Sequence, residues 1–424
     1  MRLFSAKLPS RVNMADAFIT LHKNDPYAFY LDREINTSNP FSVIGGSHSV
    51  LGEKEVGEYL ESISSFDDTS LPFDFRPGLV GAISYEGEQY WLPVDRALVL
   101  DHKDNVLYFI GLFETEADFQ HWEQAALLRL ALIGGERANY LAMRQIDAPK
   151  SISSRHSDEE YLALIESCKS SIAKGDAYQL CLTNQISIDT ANDPFAVYLN
   201  LRNISPAPYS AYIKLGDKAI VSSSPEQFLR VSNGLVSTKP IKGTRPRGKT
   251  QEEDLQLAKE LRTNEKERAE NLMIVDLMRN DLALVSEPDD VVVEKLFDVE
   301  SYASVHQLVS TVVAKLKPGL DVFDAIKAAF PAGSMTGAPK KSAMEILSGL
   351  EKGPRGIYSG ALGFIGSNGS AELGMTIRTI VFEKGKATIG IGGGITIDSV
   401  ASEELAETKL KAKALLSALG VLVA

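Results

Sequence analysis

MTIRTIVFEKGKATIGIGGGITIDSVASEELAETKLKAKALLSALG, residues 375–420, carries two strand-like segments in succession, 375–382 and 387–391, and then a helical stretch at 403–419. Isoleucine, valine, threonine and phenylalanine populate the strand-like segments, as a pleated, partly buried surface favours. Working outward, strand-like segments recur at 211–214, 219–221, 234–238 and 360–365, and helical stretches at 252–285, 323–329 and 341–350. The two kinds alternate without the regular βα spacing of a Rossmann or barrel chain. The pattern predicts an α+β fold.

The first 115 residues add short β-rich runs at 28–31, 41–44, 79–83 and 106–110, punctuated by turn pairs as in a mostly antiparallel sheet. A helix is expected over 116–132, with Phe119, Trp122, Ala126, Leu127 and Leu130 on one face. The polar segment 147–157 is the linker candidate between a β-rich N-terminal region, 1–146, and a second region, 155–424. Ser157 with Glu160 forms a capping box that opens a helix to about residue 173.

At 424 residues the chain is long enough to bury a large core, and Cys168 and Cys181 alone build no disulfide scaffold. The 44% hydrophobic and 24% charged content excludes a disordered or fibrous chain. A formal charge of -12 argues against a broad nucleic-acid footprint. The apolar run 414–424 is too short to span a bilayer, and MRLFSAKLPSRVNMAD lacks the apolar core of a secretory signal. A cytoplasmic protein with no nucleic-acid or membrane partner is expected.

Residues 243–250, GTRPRGKT, satisfy the phosphate-loop pattern GxxxxGK[ST]. The context weighs against a nucleotide triphosphatase. A phosphate loop hangs from a buried apolar strand, whereas STKPIK (237–242) has two lysines and a proline. Leu272, Val275, Leu282 and Val285 fall at helical spacing, which places Asp276 on a helix and not on an acidic strand.

Two glutamate pairs suggest other chemistry. Glu267 and Glu270, within KERAENLMIVDLMRND (266–281), and Glu404 and Glu407, within SEELAETKLKAKALL (402–416), each share one helical face. Two such helices converging would offer hard oxygen ligands suited to Mg²⁺. Glutamates among lysines and arginines are equally ordinary surface chemistry. Lys242, between Pro240 and Gly243, is either a solvated loop charge or, if desolvated, a nucleophile or base, because burial lowers a lysine pKa. Gly390, Gly392, Gly393 and Gly394 form either a backbone nest for a carboxylate or a plain glycine turn.

With these residues in view the chain resembles the chorismate-utilising enzymes: the component I chains of anthranilate synthase and aminodeoxychorismate synthase, and the isochorismate and salicylate synthases. The matching stretches include GDAYQLCLT (175–183), SSPEQFLR (223–230), PIKGTRPRG (240–248), NEKERAENLMIVDLMRNDL (264–282), FPAGSMTGAPKKSAMEIL (330–347), YSGALGFI (358–365), TIRT (376–379) and GGGITIDSVASEELAETKLKA (392–412). The N-terminal third matches more weakly, mainly at FRPGLVGAISYE (75–86) and NPFSVIGG (39–46). The resemblance implies an anthranilate synthase component I-like fold: two packed, mostly antiparallel sheets flanked by helices, with the site in the C-terminal portion. It implies Mg²⁺ held by Glu270 and Glu407, with Glu267 and Glu404 beside them holding water. It also implies chorismate held by Gly243, Thr244, Tyr358, Arg378 and Gly392, Gly393 and Gly394, where an arginine fork can bind a carboxylate bidentately.

Within that family the water-attacking synthases are similar except for a lysine where this chain has Gln179, and a glutamine cannot act as a general base. Anthranilate synthases usually read PIAGT where this chain reads PIKGT, so the resemblance is to the aminodeoxychorismate branch. It implies amination of chorismate at C4, with Lys242 as nucleophile, or as an electrostatic aid, and Glu226 as general acid. Anthranilate synthesis and a silent, glutaminase-docking relative are the alternatives. No segment reads as a glutaminase, so ammonia is expected from solution or from a separate glutamine amidotransferase subunit. Two departures stand out. SVHQLVS (304–310) has Gln307 where the family has histidine, with His306 one residue earlier and, on a helix, about 100° away. Phe364 replaces the family's tyrosine and contributes no hydroxyl.

Overall fold

The computed structural model describes residues 1–63, 71–302 and 305–422. Ser304, which opens SVHQLVS, and Val423 and Ala424, which end the apolar run, lie outside them. Two sheets share the chain, and every strand pairing described is antiparallel. The larger has twelve strands. Arg2–Pro9, Val106–Phe113, Arg96–Asp101, Phe41–Ser47 and Tyr27–Asp32 lead into Tyr209–Leu215, Lys218–Ser224, Thr379–Glu383, Lys386–Ile395 and Gln179–Asp189, with Gly337–Ala338 and Ser151–Ser154 beside the last. The smaller has nine: Ile241–Pro246, Val305–Lys315, Leu235–Lys239, Gln227–Ser232, Ala371–Met375, Ala361–Gly366, Gly78–Ile83 and Gln89–Val94, with Val292–Ser301 beside the second. Each sheet draws strands from the N-terminal third and from the rest, so the 1–146 region completes both sheets.

Packing follows from what the strand faces carry. Phe29, Val43 and Ile213 of the large sheet meet Val80, Leu92 and Phe364 of the small one in a core between the sheets. The other face of the large sheet presents Tyr30, Tyr212, Val221 and Ile389 to helices Met14–His22, Glu116–Leu130, Pro194–Ile204 and Ala401–Ala418. Helices Glu265–Ala283 and Val322–Ala329 cover the small sheet through Ile274, Val275, Met278, Ala325 and Ile326. Among the described residues no helix is long and apolar enough to cross a membrane.

Two of the chain's passages between the sheets run side by side. Lys218–Ser224 in the large sheet continues through Pro225 and Glu226 into Gln227–Ser232 in the small one. Ala371–Met375 returns through Thr376, Ile377 and Arg378 to Thr379–Glu383. The two crossings stay paired: Ser222 lies opposite Thr379 and Gln227 opposite Gly374. Met375 N–H donates to Glu226 O (2.9 Å), and Ser223 N–H donates to Arg378 O (3.0 Å).

Four expectations change. The single strand at 375–382 is two strands interrupted by the crossing. The helix at 252–285 is Gln251–Thr263 followed by Glu265–Ala283, because Asn264 turns extended and its side chain accepts the Glu267 N–H (3.1 Å), an N-cap that interrupts the run. The linker candidate 147–157 includes the strand Ser151–Ser154, paired with Gln179–Asp189. SVHQLVS is not helical; Val305–Lys315 is a strand, so His306 and Gln307 point to opposite faces.

A buried ion pair ties the sheets together near the first crossing. Arg33, 1% exposed, donates Nε–H to Glu372 Oε1 at 2.6 Å, and Asn39 donates to the other carboxylate oxygen at 2.5 Å. Removing one partner strands the other charge in a dry interior. Arg33→Ala should therefore lower unfolding free energy by about 3–5 kcal/mol in urea titrations. A loss under 1 kcal/mol would show that the pair contributes little to joining the sheets.

Candidate active site

Glu226 stands at the sheet crossing and is 7% exposed. Burial pushes its carboxyl up to about 7, against the opposing pull of the Lys242 charge and of hydrogen bonds from the Ser334 hydroxyl and the Ile241 backbone. A carboxyl poised there can give up or take a proton near neutrality. Ser334 comes from the turn Gly333–Met335, and no sequence signal marked it.

Lys242 is half-buried on Ile241–Pro246, an edge strand of the small sheet. Its charge is felt by Glu226, Glu270, Glu407 and Cys181, which places it centrally among the candidate residues. A Cβ built on Gly394 would lie 2.2 Å from Gln179 Nε2 and 3.7 Å from Lys242 Nζ, so the two side chains meet over that glycine. Gln179 is 1% exposed, and its Oε1 has no hydrogen-bond partner. Beside Lys242, Gly243 has φ +83°, and a Cβ there would come within 2.9 Å of both the Glu267 carboxylate and Leu261. Only glycine fits. Thr244 is exposed and pairs with Gln307 across the edge.

The glycine tract is neither nest nor turn. Gly390 and Gly392–Gly394 lie in the strand Lys386–Ile395, paired in register with residues 181–185. The strand needs glycine because it is crowded: a Cβ on Gly390 would lie 1.9 Å from the Tyr358 ring, and one on Gly392 would lie 2.4 Å from Leu182 O. Gly393 faces Glu404 Oε2 and Lys411 Nζ across a small gap.

The two glutamate helices, Glu265–Ala283 and Ala401–Ala418, bring their carboxylates toward one another. Burial raises the Glu270 pKa, and Glu267 and Glu404 raise it further, while Lys242 and Lys266 partly offset them. Glu407 is 57% exposed; burial opposes its charge, but Lys411, at 2.8 Å, together with Lys242 and Lys266, outweighs that and lowers its pKa. Glu267 accepts from Arg245 (3.3 Å) and Glu404 from Ser399 (2.7 Å). Lys411 also donates to Gly392 O at 3.0 Å. The sequence reading passed over Lys411, although it sits four residues after Glu407 on the same helix face.

Arg378 sits at the second crossing with φ +52°, a left-handed conformation costly for a side-chain-bearing residue. Burial lowers its pKa, with Tyr358 and Glu407 favouring the charge. Among the described residues its guanidinium makes no hydrogen bond or ion pair. A strained, desolvated and unpartnered guanidinium has its fork free, and such a fork can bind a carboxylate bidentately. Tyr358, kept neutral by burial, packs behind it against Gly390.

His306 does not join this group. Its Nε2 is 2.9 Å from Asp254 Oδ1 and its Nδ1 2.8 Å from Ser301 Oγ. The phosphate-loop motif is likewise accounted for. Gly248 N–H donates to Asp254 and Lys249 N–H to Glu253, both at 2.8 Å, so the chain's own carboxylates occupy amides a phosphate would need. Asp276 is helical and exposed beside Arg279.

For a divalent metal, the donor chemistry fits: four carboxylates, two per helix, with Glu270 disfavoured as an anion by its neighbours. Among the described residues no three His, Cys, Asp or Glu side chains close into a ligating group. Loading the site would require Glu407 to exchange Lys411, and Glu267 to exchange Arg245, for the ion.

The model of the chorismate binding enzyme family matches residues 68–417. The chain is 43% identical to an aminodeoxychorismate synthase of Streptomyces griseus, over 98% of this chain and 64% of that one. It is 36% identical to anthranilate synthase component 1 of Methanothermobacter thermautotrophicus, over 85% of this chain and 81% of that one. Its fold is similar to the crystal structure of anthranilate synthase component I from Streptococcus pneumoniae, with a TM-score of 0.76, 28% identity and coverage of 98% and 92%. The chain spans 41% to 64% of the length of the aminodeoxychorismate synthases it matches.

Glu226 makes a prediction independent of turnover. Its folded pKa, about 7, lies above the ordinary 4.5, so its contribution is fully present below about 4.5 and is lost as pH rises through 7. Glu226→Gln should then be more stable than the parent at pH 8.5, by about 3 kcal/mol, with the gap closing toward pH 5. Urea midpoints at both pH values test this, and a pH-independent difference would place the Glu226 pKa elsewhere.

Proposed function

The chain belongs to the chorismate binding enzymes, and we propose that it aminates chorismate at C4 to give 4-amino-4-deoxychorismate, the component I reaction of aminodeoxychorismate synthase in 4-aminobenzoate and folate formation. The observation that carries this reading is Lys242 at the centre of the site, beside Glu226 and across Gly394 from a glutamine, not a lysine, at position 179.

Arg378, with Tyr358 behind it, Gly243 and Thr244, and the Gly392–Gly394 strand hold the substrate's carboxylates and ring. Glu270 and Glu407 would hold Mg²⁺, with Glu267 and Glu404 beside them; bound there, it supplies positive charge opposite the ring carboxylate. The neutral Lys242 amine attacks C2, the ring double bond shifts, and the C4–O bond breaks as Glu226 gives its proton to the leaving oxygen, forming water. The Glu226 carboxylate takes back the proton from the new secondary ammonium. Ammonia then attacks C4, the C2–N bond breaks, and Glu226 returns that proton to the departing Lys242 nitrogen. The amine left on C4 gives up its extra proton and Glu226 regains one, so chorismate and ammonia give product and water with the acid restored. A second reading keeps Lys242 as a cation that polarises the leaving hydroxyl, and its place among Glu226, Glu270 and Glu407 favours it.

Ammonia supply falls to solution or to a separate glutamine amidotransferase. Cys168 and Cys181 are buried, and burial pushes the Cys168 thiol up to about 12 and raises that of Cys181, the opposite of a glutaminase nucleophile.

Incubation with chorismate, ammonium and Mg²⁺ should yield aminodeoxychorismate on chromatography against anthranilate and isochorismate standards, and EDTA should abolish it. Anthranilate as the main product would overturn the assignment. Glu267→Gln and Glu404→Gln should each raise the Mg²⁺ requirement about 10–100-fold. Glu270→Gln and Glu407→Gln should lose most activity while remaining folded.

Lys242→Ala should suppress aminodeoxychorismate formation and release some anthranilate, since it recreates PIAGT. Protein quenched during turnover without ammonia should carry a substrate-derived adduct on the Lys242 peptide by mass spectrometry. Activity dependent on Lys242 with no adduct would leave the electrostatic reading. Glu226→Gln should lower turnover about 10²–10⁴-fold. The parent kcat/KM should fall as pH rises through about 7 and Glu226 loses its proton.

A further inference from the structure

Away from this site, the outer face of the large sheet holds a cavity of about 210 Å³ between helices Met14–His22 and Pro194–Ile204 and the hairpin at 209–224. Lys218 lies on its rim, and the strand it opens reaches Glu226 eight residues on, ~26 Å for extended chain. The cavity and the candidate active site are therefore separate.

The floor is aromatic. Phe195 packs against Phe18 at 4.6 Å and Tyr212 at 4.9 Å between ring centroids, and Tyr140 closes the side with its edge toward Phe195 at 5.7 Å. The Tyr140 hydroxyl donates to Asp193 Oδ1 (2.9 Å), which also accepts the Ala196 N–H, so that carboxylate oxygen is already engaged within the protein. The rim carries both signs of charge: Lys23 and Lys214 line it together with Asp217, while Lys218 turns its ammonium over the Tyr90 ring (4.4 Å) and toward Glu383 (3.8 Å). Among the described residues Lys23 and Lys214 form no ion pair. Two unpaired ammonium groups thus stand beside a largely buried aromatic floor. An apolar cavity of about 150 Å³ takes a benzene ring. The extra volume here fits one ring with a small substituent, well short of a drug-sized ligand.

We propose that this cavity is a binding site for a single-ring aromatic carboxylate, its ring on the Phe195–Tyr212 floor and its carboxylate against Lys214 and Lys23. The ring supplies the stacking and burial, and the lysines supply charge-assisted hydrogen bonds at the wet edge. The proposal does not depend on the reaction assigned above.

Calorimetric titration of the full chain with benzoate tests it, with aniline and inorganic phosphate as controls lacking the charge or the ring. One benzoate per chain should bind, undisplaced by chorismate, with both controls at least about tenfold weaker. Lys214→Met should weaken benzoate by about tenfold and leave chorismate turnover unchanged. Ala219→Leu, which fills the cavity, should remove binding; should that variant fail to fold, Lys214→Met still reads the site. Displacement by chorismate, phosphate binding as tight as benzoate, equal affinity in parent and Lys214→Met, or no saturable binding would each overturn the proposal.

Discussion

Two neighbouring stretches of chain leave one sheet for the other at the same place, and they remain hydrogen bonded to each other as they cross. The Met375 N–H to Glu226 carbonyl bond and the Ser223 N–H to Arg378 carbonyl bond hold the crossings together where neither sheet's regular ladder continues. That pairing fixes the backbone of Glu226 and Arg378 on rigid elements, which suits groups that must be held in place without a ligand to organise them. It also imposes the left-handed backbone at Arg378 and the burial that raises the Glu226 pKa. The raised carboxyl and the left-handed, unpartnered guanidinium are thus consequences of one architectural event.

Around that seam the chain assembles an electrostatic balance, with no single dominant pair. Glu226, Glu270 and Glu407 all sense Lys242, and Glu270 senses a carboxylate from each glutamate helix. Each charge is only partly compensated inside the protein. Arg245 and Lys411 hold two of the carboxylates, and both contacts are exchangeable because Glu407 and Arg245 retain solvent access. Burying charges that are only partly paired is costly, and perturbed groups gathered in this way mark candidate functional sites. The glycines serve the same end by letting Gln179, Glu267 and Tyr358 approach the backbone more closely than a Cβ would permit.

Much of the fold was legible locally. The strands at the N-terminus, the capping box at Ser157 and the hydrophobic faces of the helices follow from periods of two and 3.6 residues and from turn chemistry, which act over a few residues. The errors share a cause. Asn264 interrupts a helix whose apolar spacing continues on both sides, and residues 376–378 interrupt a strand whose composition does not change, because these breaks are set by packing between distant segments. Val305–Lys315 looked helical by analogy, yet it lies between strands on either side and uses its alternation to send His306 to Asp254 and Gln307 the other way.

By itself the sequence determined the α+β class, the glutamates' shared helical faces, the unusual lysine in PIKGT, and the family to which the chain belongs. These reside in short motifs and residue types, which survive without coordinates. Tertiary structure alone decided that the glycine tract is a crowded strand, that Lys411 and Ser334 belong to the site, that Arg378 is unpartnered, and that the phosphate-loop amides are already occupied. Apart from the phosphate-loop amides, whose carboxylates lie four and six residues away, these depend on groups brought together from tens to hundreds of residues apart. No local pattern encodes that distance, because only packing the two sheets against each other creates it.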